Sequence, residues 1–158
     1  MKYKIGILQS ESIVNIGLQT IIENNQEISV SWTSNNINDC LKNILSKDVD
    51  IIITDICLPD APGLLIINLL KESKFEGKII IFTAQDEEVY GVESIEMGVS
   101  SFLSKNTDVK SINDSLQLVK KGEISISSKL TKLLAEKIQK GFSRLPHLYL
   151  SKREQQVL

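Results

Sequence analysis

The sequence predicts an α/β fold built on a five-stranded, doubly wound parallel sheet, and three observations lead to this prediction. Short apolar runs alternate five times with longer amphipathic stretches over residues 1–122. The connections are short, and the run from Val49 to Ile53 is nearly all β-branched, which is typical of a central parallel strand covered on both faces. Because each crossover is right-handed, this alternation places helices on both faces of the sheet.

The five predicted strands are short runs with distinct patterns. The first, third, fourth and fifth are mainly apolar, whereas the second alternates with period two and should have one wetter face. Their predicted ranges are 5–8, 28–32, 49–53, 78–83 and 101–103. Since parallel strands end at the same edge of the sheet, a ligand site is expected at their carboxyl ends.

The five predicted helices follow these strands in turn, because apolar residues recur there at helical spacing. Gly98 and Gly122 come directly after the fourth and fifth helices, where a left-handed residue commonly ends a helix. The predicted helical ranges are 12–24, 38–47, 63–74, 86–97 and 108–121.

The pattern changes after residue 122. Residues 128–140 form a predicted amphipathic helix, followed by a linker with Gly141 and Pro146. Ser151 and Glu154 then match a capping box, in which each side chain can accept from the other residue's backbone N–H. Because two turns of helix cannot bury an apolar face alone, we expect residues 151–158 to be the truncated start of a second domain.

Composition narrows the possible classes of protein. Residues 1–122 carry 11 basic and 17 acidic side chains, a net charge of −6, whereas residues 123–158 carry 7 and 3, a net charge of +4. Cys40 and Cys57 cannot build a disulfide framework and are expected to be buried, inert thiols. One histidine argues against zinc, and no apolar stretch approaches the roughly 18 residues of a membrane helix. We expect a reduced, cytoplasmic protein without membrane association.

Three polar residues stand at the predicted strand ends: Asp55 ends the third strand, Thr83 ends the fourth, and Lys105 follows the fifth. A carboxylate, a hydroxyl and an ammonium group that meet in one crevice suit phosphoryl transfer to the aspartate. The lysine and the hydroxyl would each stabilise a phosphoryl oxygen, so the chemistry depends mainly on positioning and charge. Taken singly, each residue could equally be a solvated loop or strand residue.

Residues 4–122 resemble the receiver domain of bacterial two-component response regulators. The spacing of Asp55, Thr83 and Lys105 matches the family's aspartate, hydroxyl and lysine, and residues 58–63, LPDAPG, resemble its M-P-x-x-x-G loop. Residues 150–158, LSKREQQVL, resemble the opening of a LuxR-type helix-turn-helix domain. Together these similarities indicate the NarL/FixJ subfamily of transcription regulators.

The resemblance implies a flavodoxin/CheY-like receiver with strand order 2-1-3-4-5 in residues 1–122. Residues 123–150 would then be a linker with an amphipathic helix, and residues 151–158 the start of the DNA-binding domain. Phe102 occupies the position of the family's switch aromatic, whose burial reports phosphorylation, although a core aromatic would look the same in sequence.

The site departs from the family at one point. Receivers that accept phosphate normally carry two adjacent acidic residues after the first strand, and these help to bind Mg²⁺; here the positions hold Gln9 and Ser10. Because Mg²⁺ prefers anionic oxygen, only Asp55 and the backbone carbonyl of Cys57 remain as expected ligands, with Glu11 one position away. We therefore expect weak Mg²⁺ binding and slow or absent phosphorylation.

Three functions stay open. The favoured one is an atypical, non-enzymatic regulator that is controlled by dimerisation or by another regulatory protein. It would form a homodimer through Ile112, Leu116 and Val119 or through the linker helix, and it would bind DNA through a domain beyond this sequence. The second is a conventional regulator phosphorylated on Asp55 by a histidine kinase. The third is a small phosphatase with an aspartyl nucleophile, which the residue at Cys57 disfavours because such enzymes want a second Asp there.

Overall fold

The structure, a computed structural model, describes residues 2–143. The chain divides into two compact units, and the first ends at Ile126. The first unit contains a five-stranded parallel sheet with helices and a small antiparallel hairpin, and the second contains one long helix over its described part. The predicted fold class is confirmed.

The five strands of the main sheet and the first five helices follow the predicted alternation, and their ends lie within two residues of the predicted ends, whereas the two short hairpin strands were not predicted. The strands are β1 (Tyr3–Leu8), β2 (Ile28–Ser34), β3 (Ile51–Thr54), β4 (Cys57–Leu58), β5 (Ala61–Pro62), β6 (Lys78–Thr83) and β7 (Ser101–Ser104). The helices are α1 (Ser12–Glu23), α2 (Ile37–Ser46), α3 (Leu65–Glu72), α4 (Glu87–Glu96), α5 (Val109–Lys120) and α6 (Ser128–Ser143).

The main sheet has the order β2-β1-β3-β6-β7. All four of its strand pairs are parallel, and β4 and β5 pair separately as the hairpin. Counting only the strands of the main sheet, this is the order 2-1-3-4-5 that the family resemblance implies. The carboxyl ends of β1, β3, β6 and β7 therefore lie side by side, which is the edge where the predicted site residues stand.

The hydrophobic core explains why β3 reads as an unbroken apolar run. Its residues Ile51 to Thr54 are all buried, because helices cover both faces of the sheet. On β1, Gly6 leaves room for the Trp32 ring of the neighbouring strand, since a side chain at Gly6 would overlap the ring. The positive φ angles of Gly98 (96°) and Gly122 (87°) confirm that both glycines end their helices in the left-handed conformation.

Helix α5 corrects one sequence-based expectation. Ile112, Leu116 and Val119 were expected to offer a dimer surface, but they are 4%, 1% and 1% exposed and belong to the core cluster. Their spacing marks the face of α5 that packs onto the sheet. These three side chains cannot form an interface with a second copy while the core is intact.

The segment that follows the predicted receiver boundary at residue 122 still pairs with the sheet. The backbone N–H of Ser125 donates to the Ser100 carbonyl over 2.9 Å, and Ser125 forms a parallel bridge with Ser101 of β7. This short pairing joins the segment after α5 to the edge strand, so the division between units falls after Ile126.

Helix α6 continues through Gly141 to Ser143, beyond the predicted end at residue 140. One glycine in a helix costs about 1 kcal/mol, which is not enough to stop it. The Ser127 hydroxyl accepts from the Leu130 backbone N–H over 3.0 Å and so caps the first turn. The predicted capping box at Ser151 and Glu154 lies outside the described residues.

Candidate functional site at the strand ends

Asp55 stands directly after β3, at the centre of the carboxyl edge of the sheet. Its side chain is buried, the whole residue being 1% exposed. The Oδ1 atom accepts hydrogen bonds from the backbone N–H groups of Ile56, over 2.7 Å, and of Cys57, over 3.1 Å. The loop after β3 therefore holds one carboxylate oxygen with main-chain donors before any other side chain takes part.

Thr83 and Lys105 complete the predicted set, and the structure brings all three side chains together. The Thr83 hydroxyl donates to Asp55 Oδ1 over 2.6 Å, and the Lys105 ammonium lies 2.8 Å from Asp55 Oδ2. The Lys105 backbone N–H also donates to the Thr83 carbonyl over 2.9 Å. We call Asp55, Thr83 and Lys105 the strand-end triad.

Glu11 joins this triad from the other side. Its Oε1 lies 2.7 Å from Lys105 Nζ, so one ammonium group contacts two carboxylates. Burial alone would lower the pKa of Lys105, but the hydrogen bonds to Asp55 and Glu11 outweigh it and leave the pKa raised above 10.5. Lys105 is therefore a cation at neutral pH, and the formal charges of Asp55, Glu11 and Lys105 sum to −1.

Gln9 and Ser10 occupy the positions of the missing acidic pair. Gln9 is fully buried, and its Nε2 donates to the Phe82 carbonyl over 3.2 Å, while its Oε1 has no hydrogen-bond partner. The Asn15 side chain donates to the Gln9 carbonyl over 3.0 Å and holds this segment against α1. Ser10, the next residue, is half-buried. A neutral amide thus takes the place of a carboxylate at the end of β1.

Receiver domains generally bind Mg²⁺, but the residues present here do not fit this ion. Both oxygens of Asp55 already have partners, the amide donor of Gln9 is committed to a carbonyl, and Glu11 is paired with Lys105. Over the described range, 2–143, no group of three or more His, Cys, Asp or Glu residues could hold a metal ion. The chemistry of this donor set disfavours Mg²⁺, because the ion needs several anionic or neutral oxygens free to bind.

Phe102 and the two cysteines complete the list of predicted residues. Phe102 lies in β7 and is 3% exposed, which agrees with either of its two interpretations. Cys40 is buried, and burial first, then Asp39 and Asp60, raises its pKa to about 12, so this thiol is inert. Cys57 is exposed, so the expectation that it is buried was wrong; the hairpin turns its side chain outward.

Asp60 makes a contact beside the site that the sequence pattern did not reveal. It lies in the turn of the β4–β5 hairpin, and its carboxylate accepts from the backbone N–H groups of Ile37, over 2.9 Å, and Asn38, over 3.3 Å. These N–H groups belong to the first turn of α2 and have no partner within the helix. The loop that follows Asp55 is therefore tied to α2. A Pro-Asp pair in a loop suggests only a turn, so proximity in the fold was needed to see this contact.

The comparisons with known proteins agree with this geometry. The response regulator receiver domain family matches residues 5–117. Among curated relatives, the transcriptional regulatory protein LiaR of Bacillus subtilis is 27% identical over 98% of this chain and 74% of its own length. The nitrate/nitrite response regulator NarL of Escherichia coli is 24% identical over 85% of this chain and 62% of its own length.

Solved structures show the same fold. The isolated receiver domain of RcsB from Salmonella enterica, solved with a phosphomimetic, has a TM-score of 0.77 at 18% identity, covering 85% of this chain and 99% of that one. A LuxR-family two-component response regulator from Aurantimonas has a TM-score of 0.77 at 19% identity, covering 87% and 98%. The chain belongs to the response regulator receiver domain family, and the two curated relatives are named as a transcriptional regulatory protein and a response regulator. In the described range, no helix is long and apolar enough to span a membrane.

Proposed function

We propose that this chain is the receiver and linker of a DNA-binding transcription regulator, and that its receiver acts as a dimerisation and signal-input module with little or no Mg²⁺-dependent phosphorylation. One observation carries the second part of the proposal. Asp55 Oδ1 has three donors and Oδ2 has Lys105, while the adjacent β1 end offers an amide and a hydroxyl in place of two carboxylates.

The electrostatics of phosphorylation support this proposal. A phosphoryl donor brings several negative charges to a site that already has one net negative charge from Asp55, Glu11 and Lys105. A divalent cation normally offsets such charge in phosphoryl transfer. With no suitable ligands for this ion beside Asp55, the attack of the carboxylate on phosphorus would be slow.

The domain organisation and DNA binding are part of the same proposal. LiaR and NarL are named as regulators, and solved RcsB structures include a complex with promoter DNA. By similarity we propose that residues 1–122 are the receiver, residues 123–150 the linker with α6, and residues 151–158 the start of a helix-turn-helix domain. The regulator would then bind DNA through the rest of that domain and work in the cytoplasm.

Exposed apolar side chains on α1 indicate where two receivers would meet. Ile13 and Ile16 are 78% and 64% exposed, and they share one face because they stand three residues apart. Val109 in the first turn of the neighbouring helix α5 is 51% exposed. Apolar area of this kind is stabilised by burial against a second copy, so these residues replace Ile112, Leu116 and Val119 as the proposed dimer surface.

The dimer surface can be tested by light scattering after size-exclusion chromatography. We expect Ile13→Ser with Ile16→Ser to weaken self-association severalfold, whereas Leu45→Ser on α2, which removes a side chain of similar exposure (67%), should leave it unchanged. Equal self-association of all three proteins would contradict this part of the proposal.

Phosphorylation can be tested by incubating the chain with acetyl phosphate and Mg²⁺ and measuring its intact mass. We expect no phosphoryl adduct on the wild-type chain. The matched variant restores the acidic pair with Gln9→Asp and Ser10→Asp, and it should gain Mg²⁺ binding in a calorimetric titration. A phosphoryl adduct that forms on the wild-type chain and is lost in Asp55→Ala would overturn the proposal that this receiver is not phosphorylated.

That contrary result would favour the conventional alternative, a regulator phosphorylated on Asp55 by a histidine kinase. The convergence of Asp55, Thr83 and Lys105 is the observation in its favour. A small phosphatase is less favoured, because Cys57 stands where a second acidic residue would protonate the leaving group. Turnover of a chromogenic phosphate ester that is lost in Asp55→Ala would support it.

A further inference from the structure

The contact between Glu11 and Lys105 joins two parts of the fold that the sequence separates widely. Glu11 is the residue immediately before α1, and Lys105 lies between β7 and α5. The Nζ to carboxylate distances are 2.7 Å to Glu11 and 2.8 Å to Asp55. Lys105 is thus held equally closely by one carboxylate from each side of the site.

We propose that the Glu11 carboxylate is a built-in anion that occupies Lys105 in place of an external phosphoryl oxygen. Through Lys105 it holds Asp55, Thr83 and Phe102 in the arrangement described above. This inference rests on the proposed function, since a receiver that works without phosphorylation needs another source of negative charge beside its lysine.

The path from Glu11 to Thr83 consists of short, identified contacts, and its last step to Phe102 runs along the backbone of β7. Lys105 is fixed at its ammonium by the two carboxylates and at its backbone N–H by the Thr83 carbonyl, 2.9 Å away. The Thr83 hydroxyl is turned onto Asp55 Oδ1 at 2.6 Å. Phe102 precedes Lys105 by three residues, in the strand that this backbone contact extends, and its ring is buried. A shift of Lys105 would therefore act directly on Thr83 and would reach Phe102 through the backbone of β7.

Of the two carboxylates that contact Lys105, Glu11 is the one that can move more easily, because its side chain is the more exposed. The Asp55 side chain is 2% exposed, whereas that of Glu11 is 58% exposed. A solvent-exposed ion pair contributes little to overall stability, so loss of the Glu11 charge should change the population of conformations around Lys105 without unfolding the protein.

The test compares Glu11→Gln with wild type in the whole chain by hydroxyl-radical footprinting, which measures how fast the Phe102 ring is oxidised. We expect Glu11→Gln to raise that rate severalfold. Glu27→Gln is the matched control, because it breaks another exposed ion pair to an α5-side lysine, Lys120, at 3.1 Å, but lies away from the strand-end triad. It should leave the oxidation rate of Phe102 at the wild-type value.

Two further variants separate a specific effect from general loosening. In a Lys105→Met background, Glu11→Gln should have no additional effect on Phe102, because the contact through which it acts is gone. Glu11→Asp keeps the charge and should restore most of the protection. The inference would be overturned if Phe102 in Glu11→Gln were oxidised at the wild-type rate. It would also be overturned if Glu11→Gln had its full effect on Phe102 in the Lys105→Met background. The acetyl phosphate result tests the proposed function separately, since it reports on Asp55 alone.

Discussion

The two sides of the strand-end site differ in what their sequence retains. On one side, the ends of β3, β6 and β7 carry Asp55, Thr83 and Lys105 in direct contact. On the other side, the end of β1 carries Gln9 and Ser10, followed by Glu11. The first side has a carboxylate that contacts a hydroxyl and an ammonium group, whereas the second has an amide and a hydroxyl at the positions of the acidic pair. The comparison teaches that Asp55, Thr83 and Lys105 come into contact without an acidic pair at the end of β1, because hydrogen bonds and an ion pair within the chain hold the Asp55 carboxylate.

The largest expected effect comes from removing the cation on the retained side. Lys105→Met leaves Asp55, which is 1% exposed, with a negative charge and no paired cation. Loss of one partner of a buried ion pair costs about 3–5 kcal/mol, and the three remaining donors to Oδ1 should reduce this to about 2–3 kcal/mol. Urea unfolding at pH 7 measures the change in the free energy of unfolding.

The control for this change is Lys110→Met, whose ion pair with Asp114 is exposed at both ends and should contribute nothing measurable. The pH dependence provides a second check. Because the folded-state pKa of Lys105 is raised, its stabilisation is present below the unfolded pKa, about 10.4, and is lost as pH rises through the folded value. An equal loss of stability in Lys105→Met and Lys110→Met would show that the ion pair of Lys105 with Asp55 stabilises the fold no more than an exposed ion pair does.

A smaller effect is expected at Thr83. Thr83→Val keeps the shape of the side chain but removes the donor to Asp55 Oδ1, leaving two backbone donors. The expected loss is about 1–2 kcal/mol in the free energy of unfolding. Thr20→Val is the matched variant, since its hydroxyl donates to the Ile16 carbonyl on an exposed helix face and its removal should change stability by less than about 0.5 kcal/mol. Equal losses of stability in Thr83→Val and Thr20→Val would mean that the hydrogen bond from Thr83 to Asp55 contributes no more than one on the exposed surface.

The smallest effect is expected at Asp108, which caps the helix that follows Lys105. Its carboxylate accepts from the Ser111 backbone N–H over 2.8 Å, and this hydrogen bond lowers the pKa of Asp108. Asn is an equally good N-cap, so Asp108→Asn removes only the charge. The variant should be slightly less stable at neutral pH, and the difference should vanish as pH falls through the folded pKa, as thermal unfolding at several pH values would show. A difference that persists in acid would contradict the charge-based account.

Much of the fold and half of the site follow from local patterns in the sequence. The alternation of short apolar runs with amphipathic stretches predicts the order of strands and helices, and the β-branched run at residues 51–53 predicts a central strand. Asp55, Thr83 and Lys105 could be grouped because parallel strands end at one edge of a sheet. The types of these three residues suggested phosphoryl transfer, and their spacing along the chain matched that of the receiver family.

The remaining features depend on side chains that meet only after folding. The pairing of Glu11 with Lys105 spans most of the receiver sequence, and no periodicity records it. The inward face of α5 was misassigned because an amphipathic stripe shows that a face is covered, without showing whether the sheet or a second chain covers it. Cys57 looked like a buried thiol because apolar residues flank it, whereas the hairpin turns it outward.

The contact between Asp60 and α2 makes two backbone amides into reporters of the loop beside Asp55. The N–H groups of Ile37 and Asn38 are held by a carboxylate from that loop, although amides of a first helical turn normally face solvent. Their exchange with deuterium therefore requires the loop to move away, not the helix to unwind. The protection factors of these two amides give a measure of how often the β4–β5 loop detaches from α2 in the native state.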